Sequence, residues 1–171
     1  MDLNIAQHLP PHFADTSKVW VYQASRQLMI SEALQLDDMF KSFTEGWQSH
    51  GDPVKGAALL LFGRFVILMA DETQTTLGGC STDSSLRFIK SIEQKFSIQL
   101  LNRQLLAFMV KDKIETLPLA QLEHAIQNNF ITAQTLYFNN TVLNKAQLIN
   151  EWIVPASQSW LAARFAALDL K

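Results

Sequence analysis

Cysteine is almost missing from this chain: of 171 residues only Cys80 carries a thiol. No internal disulfide can form, and a reducing compartment, the cytoplasm, is the expected setting. Charge is sparse and balanced. Charged residues make up 18%, and 14 basic against 16 acidic side chains leave a net charge of −2, so no overall field draws in nucleic acid or an anionic membrane. Long hydrophobic runs are also missing. The most apolar window, Gly56 to Ala70, spans fifteen residues with Arg64 inside it, whereas a membrane-crossing helix needs roughly 20. The first residues show no basic stretch followed by an apolar one, which removes a secretory signal from the expectation. Neither a Gly-x4-Gly-Lys-Ser/Thr phosphate loop nor a Gly-x-Gly-x-x-Gly turn occurs, which excludes the familiar ATPase and dinucleotide signatures. No Cys pair, His-Glu-x-x-His or acidic calcium loop is present, and Pro10-Pro11 between His8 and His12 keeps those two rings off one helical face. No metal and no cofactor are expected.

What the chain does have is apolar bulk. Hydrophobic residues reach 48%, with 11 Phe and 4 Trp, enough to bury well over half of the unfolded surface in one core. Residues 1–17, broken by Pro10-Pro11, read as a flexible arm, and 18–171 as a single α+β domain. Val19-Trp20-Val21-Tyr22 makes a first strand. From Ser31, the expected N-cap, Leu36, Phe40, Phe43 and Trp47 form one stripe of a helix that ends by Gly51 and Pro53. Ala57–Phe62 and Phe65–Ala70 form a hairpin turning at Gly63-Arg64. After a polar loop from Asp71 to Thr82, Leu86, Ile89, Ile92 and Phe96 mark a second helix. Leu105–Val110 and Ile114–Leu117 are further strands, followed by a helix over Leu119–Asn128, a strand at Leu136–Phe138, a helix from Lys145 capped by Asn144, and a last turn or two to Leu168. The first six elements read β-α-β-β-α-β, the order of a ferredoxin-like antiparallel sheet with both helices on one face, with the remainder as a mixed C-terminal extension.

The segment Gly78-Gly79-Cys80-Ser81-Thr82-Asp83-Ser84-Ser85 runs from small residues into a helix. A helix start offers unpaired N–H groups and partial positive charge, which favours an anion or an ionised thiol. The candidate ligand-binding residues are therefore Cys80, Ser81, Asp83, Ser84, Ser85 and Arg87, with Arg64 and Asp71 as outlying members. The structural alternative is that Gly-Gly makes the turn, Asp83 or Thr82 caps the helix and Cys80 is a small buried hydrophobe. A nucleophilic Cys80 requires a base, and His50, just before the hairpin, is the candidate. In the tail, Trp152, Trp160, Arg164 and Phe165 either pack onto the domain or present a surface to a partner.

Val19-Trp20-Val21-Tyr22-Gln23, Arg64-Phe65, Asp71-Glu72, Gly79-Cys80-Ser81-Thr82-Asp83-Ser84-Ser85 with Arg87-Phe88-Ile89-Lys90, Phe138-Asn139-Asn140 and the Trp160 to Phe165 tail resemble a family of short bacterial cytoplasmic proteins of uncharacterised function. Some members carry the label "ABC transporter ATPase", an activity whose phosphate loop this chain lacks. The resemblance implies a bacterial, cytoplasmic setting and transfers no catalytic residues. The residues lead to a non-catalytic domain that binds a small anionic ligand or a protein partner through the 71–85 loop. The rivals are a cysteine-dependent enzyme or redox protein using Cys80 and a structural or assembly protein acting as a homo-oligomer; neither nucleic acid nor membrane is an expected partner.

Overall fold

The run Phe65–Ala70 is apolar without alternation, which only a strand covered on both faces tolerates in water. In a computed structural model, which describes residues 1–169, this strand is the middle of a three-stranded antiparallel sheet and is buried along its whole length. The elements of that half are β1 (Lys18–Gln23), α1 (Ile30–Gly46), the two-residue strands β2 (Gln48–Ser49) and β3 (Asp52–Pro53), β4 (Lys55–Leu61), β5 (Phe65–Asp71) and α2 (Gly79–Phe96). β5 pairs with β1 from Lys18↔Ala70 to Gln23↔Phe65 and with β4 from Lys55↔Asp71 to Leu61↔Phe65. The hairpin turns over three residues rather than two, with Phe62 and Gly63 both at positive φ. Successive side chains leave β5 on opposite faces. Val66 and Leu68 pack with Tyr22 under α1 (Leu36, Phe40) and α2 (Ile89, Ile92, Phe96), while Phe65, Ile67 and Met69 join Val19 and Val21 on the other side.

That second face is covered by another sheet. β6 (Leu105–Val110), β7 (Lys113–Pro118), β8 (Leu136–Phe138) and β9 (Ile153–Pro155) lie in the order β7-β6-β8-β9, all antiparallel. Ala107 and Phe138 point at the first sheet and meet Phe65, joined by Leu148 of α4 (Lys145–Glu151) and by Trp152. Phe65 and Phe138 stack with ring centroids 4.8 Å apart. Leu106, Phe108 and Tyr137 point the other way, under α3 (Leu122–Gln127) and α5 (Ala162–Asp169) with Leu161 and Phe165. The result is an α+β fold of four layers: helices, sheet, sheet, helices.

Three strands of the expected ferredoxin-like sheet take their places as β1-β5-β4, but the fourth does not. Its position beside β1 is filled by Leu143–Lys145: Val19 N donates to Leu143 O, Lys145 N donates to Ser17 O, and Lys18 bridges Asn144. β6 goes instead to the second sheet, where β7 pairs along its whole length and β8 joins its other edge at Phe108↔Tyr137. Asn144 caps α4 as expected, accepting from Gln147 N at 2.9 Å. α1 begins one residue before Ser31, with Met29 as N-cap, and Glu32 accepts from Met29 N.

The first 17 residues are not a free arm. Ile5, Leu9 and Phe13 are buried against the inter-sheet core, because the short β8 and β9 leave part of that face for other side chains to fill. The Lys145 ammonium donates to Pro10 O and Phe13 O, and Asp71 accepts from Ala14 N. Of the expected domain, Leu170 and Lys171 lie outside the described residues. No helix among the described residues is long and apolar enough to cross a membrane.

Candidate functional site

The loop between β5 and α2 is held by its neighbours. β2 and β3 turn tightly through His50-Gly51, at φ +53° and +86°, the double positive φ of a primed two-residue hairpin. This hairpin presents Ser49, 1% exposed, to the loop: its hydroxyl donates to Thr76 O at 2.8 Å and accepts from Gly78 N at 3.0 Å. Trp47 Nε1 donates to Ser81 O at 3.0 Å, and Glu72 accepts from Leu77 N at 2.8 Å. The turn therefore owes its shape to Ser49, Trp47 and Glu72. Neither Ser49 nor Trp47 is a site candidate from the sequence, although the His50-Gly51 dipeptide before Pro53 carries the hairpin signal that locates Ser49.

α2 starts at Gly79, with Gly78 as N-cap. Asp83 is thus in the second turn, exposed, and not the cap. Small residues at 78 and 79 allow the helix to start four residues early because the Ser49 and Trp47 bonds fix the backbone that a capping side chain otherwise fixes. The amides of Gly79, Cys80 and Ser81 are the first three of the helix, with no carbonyl one turn back to receive them, and Gly78 has no side chain to accept from them. Gly79 and Cys80 are exposed, and the thiol is free. The expectation of a buried Cys80 is thereby replaced by a solvent-facing one.

The serines divide. Ser81 and Ser85 are buried and donate back to the helix, to Gly78 O and Thr82 O at 2.7 Å each; they stiffen the first turns and do not reach a ligand. Ser84 donates to Cys80 O at 2.8 Å and accepts from Arg87 Nη2 at 3.2 Å. Arg87 and Ser84 face Ser42, Phe43, Gly46, Trp47 and Gln48 across a groove of about 400 Å³. His50 does reach this end of the molecule: its Nε2 rests against Gly78, in the space that a Cβ there would fill.

Asp71 and Arg64 do not belong to the site. The Asp71 carboxylate is buried and accepts from Thr73 N, Lys55 Nζ and Ala14 N, at 3.0, 3.0 and 3.1 Å. The Thr73 hydroxyl and amide, with Lys55 and Ala14, outweigh burial and hold it well below the usual carboxylate range. It is a clamp between β4, β5 and the N-terminal segment. Arg64 precedes β5 at its opposite end, roughly 23 Å from Asp71 at about 3.3 Å per residue. There, partial burial pulls its pKa down while Glu115 of β7 pulls it up. No group of three His, Cys, Asp or Glu side chains capable of holding a metal occurs among the described residues. The start of α2 offers main-chain N–H groups and the positive end of an 18-residue helix, and Arg87 on the third turn adds one guanidinium beside an aromatic groove. These groups grip negative charge. Comparison of the chain with protein-family models, curated proteins and solved structures found no match in any of the three.

Proposed function

We propose that this protein is a binding domain that takes a small anionic ligand, phosphate or carboxylate, at the first turn of α2, with the ligand's body in the adjoining groove. The observation that carries this reading is the exposure of Gly79 and Cys80, whose amides open a long helix, with Arg87 two turns further along that helix beside a groove bordered by Phe43 and Trp47. The helix end supplies fixed N–H donors and a partial positive charge, Arg87 adds a mobile full charge, and the aromatic walls accept an apolar or planar body. No proton-transfer step is required of any residue there, in keeping with a non-catalytic role. Inorganic phosphate and pyrophosphate, titrated at constant ionic strength, are expected to raise the melting temperature; at 100 times the dissociation constant the gain is about 2.7 kcal/mol. Arg87→Ala is expected to remove most of the shift. Equal melting curves in phosphate and chloride overturn the reading.

A second reading, thiol chemistry at Cys80, is favoured by two observations: Cys80 is exposed on the first turn, and His50 lies beside Gly78, two residues before it. Alkylation by iodoacetamide across pH separates the two. A rate that stays high at neutral pH and falls in His50→Ala supports a reactive thiol, and a rate that follows a free thiol's at every pH removes it.

A further inference from the structure

The three- and four-stranded sheets have four edges between them, and three of these are protected. β1 is closed by Leu143–Lys145. β7 carries Lys113 and Glu115 and ends at Pro118, and β9 is three residues long and ends at Pro155. Beyond Lys55, whose ammonium is bound to Asp71, β4 has none of these devices. It pairs with β5 over seven consecutive residues without a bulge, and between Lys55 and Arg64 the sequence Gly-Ala-Ala-Leu-Leu-Leu-Phe-Gly holds no charge and no proline. No main-chain hydrogen bond reaches its outer edge among the described residues. A long, straight, uncharged edge is the kind that natural proteins avoid leaving open, because its N–H and C=O groups template another strand.

We propose that β4 pairs with β4 of a second copy of this chain about a two-fold axis, joining two three-stranded sheets into one of six. The strand itself argues for a copy in antiparallel register. A two-fold axis through Ala58 opposes residues whose numbers differ by an even step, as an antiparallel ladder requires. It sets Ala57 against Leu59 and Gly56 against Leu60 of the other copy, so each large side chain meets a small one on the same face. All seven residues of β4 are then paired. The Lys55 ammonium, already bound to Asp71, brings no free charge to the seam.

The helix above the strand continues the same surface. α1 lies over β4, and its flank towards α2 is the one lined by Gln35, Asp38, Met39 and Ser42. At about 100° per residue, the opposite flank, above the open edge, carries Ile30, Leu34, Asp37 and Lys41. Ile30 is 84% and Leu34 65% exposed. Two copies meeting at β4 bring these flanks together antiparallel. Each supplies two apolar side chains, one acid and one base, a set that neither repels itself nor stays wet.

Light scattering and sedimentation on the full chain test this. The mass expected is that of a dimer, and Leu34→Glu, on an exposed position that leaves folding intact, is expected to raise the dissociation constant at least ~10-fold. The register is tested by Ala58→Cys in a Cys80→Ser background. Facing Cα atoms of an antiparallel pair are ~4.5–5.5 Å apart, within disulfide range, so mild oxidation is expected to link two chains, whereas Thr116→Cys on β7 remains unlinked. A monomer at every concentration, or a dimer that neither yields to Leu34→Glu nor cross-links through position 58, overturns the proposal. Phosphate binding at α2 does not depend on this edge, so the two results are read separately.

Discussion

At the scale of single residues, polar groups in this protein are placed to brace the chain. Asp71 accepts from three separate segments, and Asp71→Asn, which keeps the shape and removes the charge, is expected to cost about 1–3 kcal/mol in urea unfolding. The pH dependence has a definite sign. Two hydrogen bonds from Arg26 and one from Met29 N hold the Glu32 carboxyl down to about 2, and Asp71 is lowered too. Both contributions are complete above the ordinary values of 4.5 and 3.8 and are lost as pH falls through the lowered folded-state values. The melting temperature is expected to fall steadily below about pH 4, with a shallower slope in the Glu32→Gln, Asp71→Asn double variant; an unchanged slope removes the assignment. Gly56 acts by having no side chain, since a Cβ there comes within 2.6 Å of the buried Trp47 ring. Gly56→Ala is expected to cost about 1–3 kcal/mol through overpacking, and an unaltered urea midpoint contradicts it.

At the scale of elements, the N-terminal segment and the small hairpin do more than their length suggests. Leu9 is 3% exposed in the inter-sheet core. Leu9→Ala is expected to lose about 2–5 kcal/mol by the cavity it leaves, where a loose arm gives almost nothing; thermal unfolding decides between them. The β2–β3 hairpin locks the loop before α2 through Ser49. Ser49→Ala strands Gly78 N–H without its acceptor, at about 1–3 kcal/mol, and is expected to weaken phosphate binding while leaving Arg87 intact. Hydrogen exchange at Leu77 and Gly78 reports the loosening directly; unchanged protection there shows the loop to be held by other means.

At the scale of the molecule, the two sheets share one aromatic centre. Phe62, Phe65, Phe138 and Trp152 touch pairwise across the layers, with centroids 4.8 to 6.4 Å apart. Neither sheet can lose its fold without exposing the inner face of the other, so unfolding is expected to be one transition. Trp20 and Trp47 report on the first sheet, Trp152 and Trp160 on the second. Single-tryptophan variants are expected to give the same urea midpoint, and two separated midpoints show the layers to be independent.

The amino-acid order by itself determined the longer elements and their faces, but not the short strands β2, β3 and β9. Val19–Tyr22, the unbroken Phe65–Ala70 run and the stripes of both long helices carry patterns that burial enforces locally, whereas the start of α2 at Gly79 is not marked, since Thr82 and Asp83 are the better capping residues. Only the tertiary structure decided where β6 goes, because edge pairing is a competition that Leu143–Lys145 wins at β1 through contacts more than 120 residues apart. The same holds for the site. The role of Ser49 and the withdrawal of Asp71 into a clamp follow from which end of β5 and which hairpin meet in space, and side-chain spacing along a chain does not encode that; only the separation of Arg64 from Asp71 along one strand does follow from such spacing.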